Sequence, residues 1–147
     1  MTKSLIFSGA AALIIAVMSV GVVQGQKATT KKSVTYAASE TAKFDRTPMP
    51  GVTMSVVWGD PDKGSHGTFT KFAPGYDAGM HTHTSDVWLV VIKGAYLYKD
   101  DAGEKRVGPG DFIRIAGGHK HWSGGDKKDG ALFYQEGAGK FDVIPAQ

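Results

Sequence analysis

Short strand-like segments separated by glycine-rich turns make up the chain after residue 51. Apolar and β-branched residues fill segments such as Val52–Trp58, Val87–Ile92 and Phe112–Ile115. Turn-forming clusters such as Gly59–Gly64 separate them, and the chain holds 20 glycines. Short strands spaced by about 8–12 residues are typical of β-sandwiches and small barrels. Because apolar residues do not recur at helical spacing after residue 26, the sequence predicts an all-β fold.

The same pattern places further strands and turns. We expect strands at Val34–Tyr36, Gly67–Phe72, Ala95–Lys99, Glu104–Val107, His119–Trp122, Ala131–Gln135 and Phe141–Ile144. Asp100–Gly103 is predicted to be a hairpin turn and Ser123–Gly130 a polar loop. Regular structure is expected to begin after Gly51, because Pro48 and Pro50 close off the preceding segment.

The first 25 residues have the layout of a secretory signal peptide. Lys3 provides a positive start, Leu5–Val23 is almost wholly apolar or small, and Gly25 precedes the expected cut. The alternative is an uncleaved membrane anchor, since the apolar run nearly reaches the ~20 residues that span a bilayer. Polar residues directly after Gly25 favour cleavage. The prediction is a periplasmic or secreted protein that makes no membrane contact once the signal is removed.

Residues 26–44 are predicted to form a flexible N-terminal arm, and residues 45–147 a single domain. The arm is rich in threonine, lysine, serine and alanine and has little apolar periodicity. The formal charge of +3 is small and the basic residues are scattered, so no nucleic-acid partner is expected. The chain has no cysteine, which excludes disulfides, thiolate chemistry and cysteine-bound zinc.

Two histidines two residues apart, His81 and His83, precede the apolar segment Val87–Ile92. In a strand, residues i and i+2 point to the same face, so both imidazoles would project together and Thr82 the other way. Two neutral imidazoles can supply two ligands of a transition metal when a third ligand arrives from elsewhere.

Two sequence blocks resemble the paired motifs of the cupin superfamily. The first family motif contains two glycines that enclose a His-x-His pair and a glutamate, and the second contains two glycines followed by a histidine. The positions that fall on these patterns are Gly75, His81, His83 and Gly94, then Gly110, Gly118 and His121. The matching region extends from Gly75 to Trp122. The resemblance is to small, exported, single-domain cupins of the RmlC-like type.

This resemblance implies a jelly-roll (double-stranded β-helix) cupin barrel with a metal inside. The implied ligands are His81, His83 and His121. The chain departs from the pattern at Val87, where the family has its glutamate ligand, and at Ala116, where it has a proline.

Several neighbouring residues are candidates to complete the site. Asp86 and His119 are candidate additional ligands, although strand alternation aims Asp86 at the opposite face. Trp122, beside the third histidine, is expected to border the pocket. His66 is expected to be a solvated surface residue. Arg114 is expected to point outward, with binding of an acidic substrate as the alternative.

Three histidines leave open coordination positions, which favours a catalytic or binding metal over a structural one. The leading prediction is an exported metal-dependent dioxygenase-type oxidoreductase that acts on a small organic substrate. Iron, which three-histidine cupins hold, is the preferred metal by resemblance; the ligand set itself suits zinc, manganese, nickel and copper as well. The competing prediction is a non-catalytic binding module that holds a structural metal or a small ligand. A homodimer is the default expectation for the assembly.

Overall fold

The computed structural model describes residues 34–147, which form eleven β-strands and no helix. The strands are β1 Arg46–Met49, β2 Val52–Gly59, β3 His66–Phe72, β4 Asp77–Thr82, β5 Val87–Gly94, β6 Tyr96–Asp100, β7 Gly103–Val107, β8 Phe112–Ile115, β9 His121–Gly125, β10 Ala131–Gly137 and β11 Ile144–Pro145. Residues 34–147 contain no helix that is long and apolar enough to cross a membrane. The predicted signal peptide and the first part of the predicted arm lie outside these residues.

The strands form two antiparallel sheets. The larger sheet has six strands in the order β1-β2-β3-β10-β5-β8, and the smaller has five in the order β11-β4-β9-β6-β7. The predicted all-β jelly-roll architecture is therefore confirmed. The sheets are not closed into one hydrogen-bonded barrel, since no strand pair within residues 34–147 joins them.

The core lies between the two sheets, because each sheet turns alternate residues inward. Leu89 and Val91 of β5 are buried, whereas Val90 between them is 38% exposed. They pack with Phe133 of the larger sheet and Tyr96 of the smaller one. Aromatic and β-branched residues suit strands like these, which bury one face and expose the other.

Gly94, the last glycine of the first motif, has a positive φ of 71°. A Cβ atom at this position would collide with the backbone carbonyl oxygen of Gly130. Both the left-handed conformation and the close approach to the chain require glycine here.

The structure corrects four of the predicted boundaries. Val34–Tyr36 forms no strand and both end residues are exposed, whereas β1 begins at Arg46 and so precedes Gly51. The first part of Ser123–Gly130 is not a loop: Ser123 to Gly125 continue β9 and are buried against β6. The polar, glycine-rich composition of this segment is typical of a loop. Small residues also fit in a strand such as β9, which packs closely against neighbouring segments of the same chain. The last predicted strand is reduced to Ile144–Pro145.

Candidate metal centre

Strand pairing brings two of the motif histidines together. His81 lies near the end of β4 and His121 begins β9, and the antiparallel register makes them direct Cα partners. His83 follows just beyond the end of β4. All three side chains are buried, with 2%, 9% and 0% exposure for His81, His83 and His121.

The three imidazoles converge on one point. The ring centroids of His81 and His121 lie 4.2 Å apart, and those of His83 lie 5.0 and 5.3 Å from the other two. One ring nitrogen from each residue lies within 4.8 Å of the others. This spacing allows a single metal ion to contact all three nitrogens.

Backbone carbonyls fix the orientation of each ring. Each Nδ1 atom lies within hydrogen-bond distance of a carbonyl oxygen: His81 at 2.9 Å from Gly79, His121 at 3.0 Å from His119 and His83 at 2.6 Å from Asp142. A carbonyl can only accept, so each Nδ1 carries the proton and each Nε2 presents a lone pair. The Nε2 atom of His121 is buried and has no hydrogen-bond partner among the described residues.

The electrostatics also suit a metal. Burial lowers the pKa of His81 and of His83, and it lowers the pKa of His121 to about 4. The three rings are therefore neutral at physiological pH, the state in which imidazole binds metals. The neutral rings, the Nδ1 protons directed at backbone carbonyls and the unpartnered Nε2 of His121 together fit a divalent transition metal.

Val87 stands where the family motif has a glutamate, and its side chain lines the same cavity as His81 and His83. This cavity has a free volume of about 30 Å³. Its walls are mainly apolar and aromatic, with polar contributions from Thr70, Ser123 and Gln135. No aspartate, glutamate, lysine or arginine of the described chain lines it.

Asp86 is engaged away from the three imidazoles. Its carboxylate accepts hydrogen bonds from the Arg114 guanidinium at 2.5 and 3.0 Å and from the Gly117 backbone N–H at 2.9 Å. The Gly117 and Arg114 bonds lower the pKa of Asp86. The Arg114 side chain is 54% exposed, as expected. The pair ties the start of β5 to the end of β8.

His119 and Trp122 are also placed outside the cluster. The Nε2 atom of His119 lies 3.0 Å from the Tyr98 hydroxyl and 3.1 Å from an Asp100 carboxylate oxygen. Trp122 donates to Asp77 at 2.6 Å and lines a groove on the outer face of the smaller sheet. Adjacent residues on a strand face opposite sides, so the inward position of His121 turns Trp122 away from the cavity.

The expectation that His66 is a surface residue is wrong, because its side chain is completely buried. Its partner across the sheet is Gly137 of β10. A Cβ atom at Gly137 would lie 2.5 Å from Cε1 of His66, so the glycine makes room for the ring.

Sequence reasoning also missed Gln135 and the orienting carbonyl of Asp142, since only the fold brings them to the site.

Comparisons with known proteins agree with this geometry. Residues 68–134 match the sequence model of the Cupin_2 family, described as a cupin domain. No curated protein matches the chain in sequence.

Solved structures with a similar fold share little sequence with the chain. The polyketide cyclase RemF from Streptomyces resistomycificus has a TM-score of 0.63 at 19% identity, covering 78% of this chain and 86% of its own. KdgF from Halomonas sp. has a TM-score of 0.52 at 21% identity, with 63% and 85% coverage. An RmlC-like cupin from Shewanella frigidimarina has a TM-score of 0.56 at 15% identity, with 72% and 92% coverage. The paired histidine motifs, the family match over residues 68–134 and the jelly-roll fold agree, and together they support placing this chain in the cupin superfamily.

Proposed function

We propose that this cupin is an exported, metal-dependent enzyme of the dioxygenase type that acts on a small organic substrate. The observation that carries the proposal is the meeting of three neutral imidazoles beside an apolar cavity in which Val87 replaces the family carboxylate. His81, His83 and His121 would hold the metal, and iron is the proposed ion. When bound, the metal would supply a Lewis-acidic and redox-active centre.

The cavity determines what can reach this centre. At a free volume of about 30 Å³ the cavity has room for water, and a small organic substrate must widen it on binding. Phe72, Tyr96 and Phe141 line it with aromatic surface, which excludes water and packs against an apolar substrate body. Without a carboxylate among the three histidines, the protein leaves the positive charge of a divalent ion uncompensated, and this favours a substrate hydroxyl or thiol that loses its proton on binding.

The direct test is elemental analysis of the purified protein, together with oxygen-uptake assays on thiols, diketones and flavonoids. We expect one redox-active metal per chain and oxygen consumption with at least one substrate class. His81→Ala and His121→Ala should each abolish both. His119→Ala is the matched control, since it removes a nearby imidazole and keeps the backbone carbonyl that orients His121.

Substoichiometric metal that is unchanged in His81→Ala and His121→Ala would refute the proposed centre. Tightly bound zinc without turnover of any substrate class would instead favour the non-catalytic binding module. Export predicts that the mature protein begins at Gln26, which N-terminal sequencing of protein from its native compartment checks.

A further inference from the structure

His66 is a second buried histidine with an unpartnered nitrogen. Its Nδ1 atom lies 3.0 Å from the Gly64 carbonyl oxygen and 3.1 Å from that of Gly139. Both neighbours are acceptors, so Nδ1 carries the proton and Nε2 has only a lone pair. Nε2 is buried and has no hydrogen-bond partner among residues 34–147. A buried acceptor without a donor is destabilising.

The ring of His66 borders a small cavity of about 10 Å³, room for about one water, which Gln135 also lines. Gln135 belongs to β10, is 6% exposed, and points inward between Thr68 of β3 and Leu89 of β5. The same side chain lines the larger cavity of the metal centre. Gln135 therefore borders both the pocket of His66 and the candidate substrate cavity.

An amide group at this position has two different ends. Its NH₂ group donates and its carbonyl oxygen accepts, so the surrounding hydrogen bonds decide which way it points. The lone pair of His66 requires a hydrogen-bond donor. Besides Gln135, the long donor side chain that lines this pocket is that of Lys140, which is exposed to solvent. With NH₂ turned toward His66 through one bridging water, the carbonyl oxygen faces the metal cavity.

We propose that Gln135 is a substrate-binding residue whose side-chain oxygen accepts a hydrogen bond from a substrate hydroxyl, and that His66 is the positioning residue that orients its amide. The proposal rests on the metal-dependent function proposed above. The substrate class is a small neutral molecule with two adjacent oxygen functions, one for the metal and one a hydroxyl for Gln135. The absence of charged side chains from the described cavity wall matches a neutral molecule.

Two probes of nearly equal shape test this assignment. Catechol has a second hydroxyl that can donate to Gln135, whereas 2-methoxyphenol has a methoxy group at that place. Each is titrated into cobalt(II)-loaded protein and followed by the visible spectrum of the metal. Gln135→Leu should weaken catechol binding by about tenfold and leave 2-methoxyphenol binding unchanged. Cobalt content should stay at the wild-type level.

The positioning role of His66 has its own readout. His66→Phe should reduce the preference for catechol over 2-methoxyphenol and shift the side-chain amide resonances of Gln135 in NMR spectra of the metal-free protein. Thr68→Val is the matched control, because Thr68 is buried beside Gln135 but does not line the metal cavity. It should change neither the preference nor the amide resonances.

Wild-type catechol affinity in a Gln135→Leu protein with full cobalt content overturns the substrate-binding role. An equal loss for both probes overturns it as well, since that result indicates general damage to the cavity. A wild-type protein that prefers catechol but consumes no oxygen with any substrate class removes the dioxygenase proposal and retains this one. Failure of the wild-type protein to bind cobalt overturns both.

Discussion

The Nδ1 atom of His83 lies 2.6 Å from the backbone carbonyl oxygen of Asp142, which follows it by 59 positions in the chain. The carboxylate of Asp142 also accepts hydrogen bonds from the backbone N–H and the hydroxyl of Thr84, at 3.0 and 2.5 Å. The segment after β10 thus holds one ring of the histidine cluster in place. Such partners of ligating histidines contribute strongly to metal affinity.

Asp142→Ala should therefore lower metal affinity by about tenfold. The substitution keeps the carbonyl but removes both anchors to Thr84, so the segment no longer holds His83 in a fixed orientation. Competition titration with a chelator measures the change. Asp101→Ala, at an exposed turn position, is the control, and equal affinities for the two variants would contradict the role of Asp142.

Val87→Glu should raise the affinity for divalent metals, because it places a carboxylate on the cavity wall shared with His81 and His83. The same change should lower the thermal midpoint of the metal-free protein, since a buried carboxylate without a partner is destabilising. Val87→Leu separates the effect of charge from that of volume. An affinity equal to that of Val87→Leu would show that the side chain does not reach the metal.

The stability of the metal-free protein should fall as the pH drops below 6.5. The unfolded chain then protonates its histidines, whereas the folded state keeps the three buried rings neutral, so protons favour unfolding. For His121, lowering the pKa from 6.5 to about 4 corresponds to about 3 kcal/mol, lost progressively over that pH window.

Urea denaturation near pH 7.5 and near pH 5 measures this loss before most carboxylates titrate. His121→Phe should reduce the difference between the two pH values, and His119→Ala should retain it. Equal stability of the wild-type protein at both pH values would contradict the buried neutral state of the rings.

Asp86→Asn should leave metal stoichiometry unchanged and lower the thermal midpoint. The carboxylate is held by Arg114 and the Gly117 N–H and does not lie with the three imidazoles. Elemental analysis and thermal denaturation separate the two effects. Asp62→Asn, which alters the comparable ion pair with Arg46, is the control. Loss of metal in Asp86→Asn alone would make Asp86 a ligand.

Gly94→Ala should destabilise the fold by more than about 1 kcal/mol. Gly94 has a φ of 71°, and an added Cβ would collide with the carbonyl oxygen of Gly130. Gly64→Ala serves as control, because a Cβ there meets no atom within 4 Å. Similar thermal midpoints for the two variants would contradict the steric reason for this motif glycine.

The sequence predicted the strands best where apolar alternation was strong. Val87–Ile92 lies within β5, and Phe112–Ile115 coincides with β8. The motif spacing also predicted His81, His83 and His121 as the candidate ligands. The pairing of β4 with β9 explains why they lie close together. Local patterns of this kind carry enough information because burial on one face selects both the strand and its register.

Features that depend on distant chain segments could not be predicted. His66 reads as a turn residue in sequence, and only its pairing with Gly137 shows that it is buried. The orientation of His83 depends on Asp142, and Gln135 becomes part of the cavity only because β10 lies between β3 and β5. These relationships arise from tertiary packing.

The order of strands within the sheets has a consequence for folding. β10 lies between β3 and β5 in one sheet, and β9 lies between β4 and β6 in the other. Strands made late in synthesis therefore fill the middle of each sheet, and before they arrive their neighbours expose unpaired edges that can associate with other chains. Such non-local pairing slows folding. Because His121 arrives on β9, closure of the smaller sheet and completion of the histidine cluster are one event.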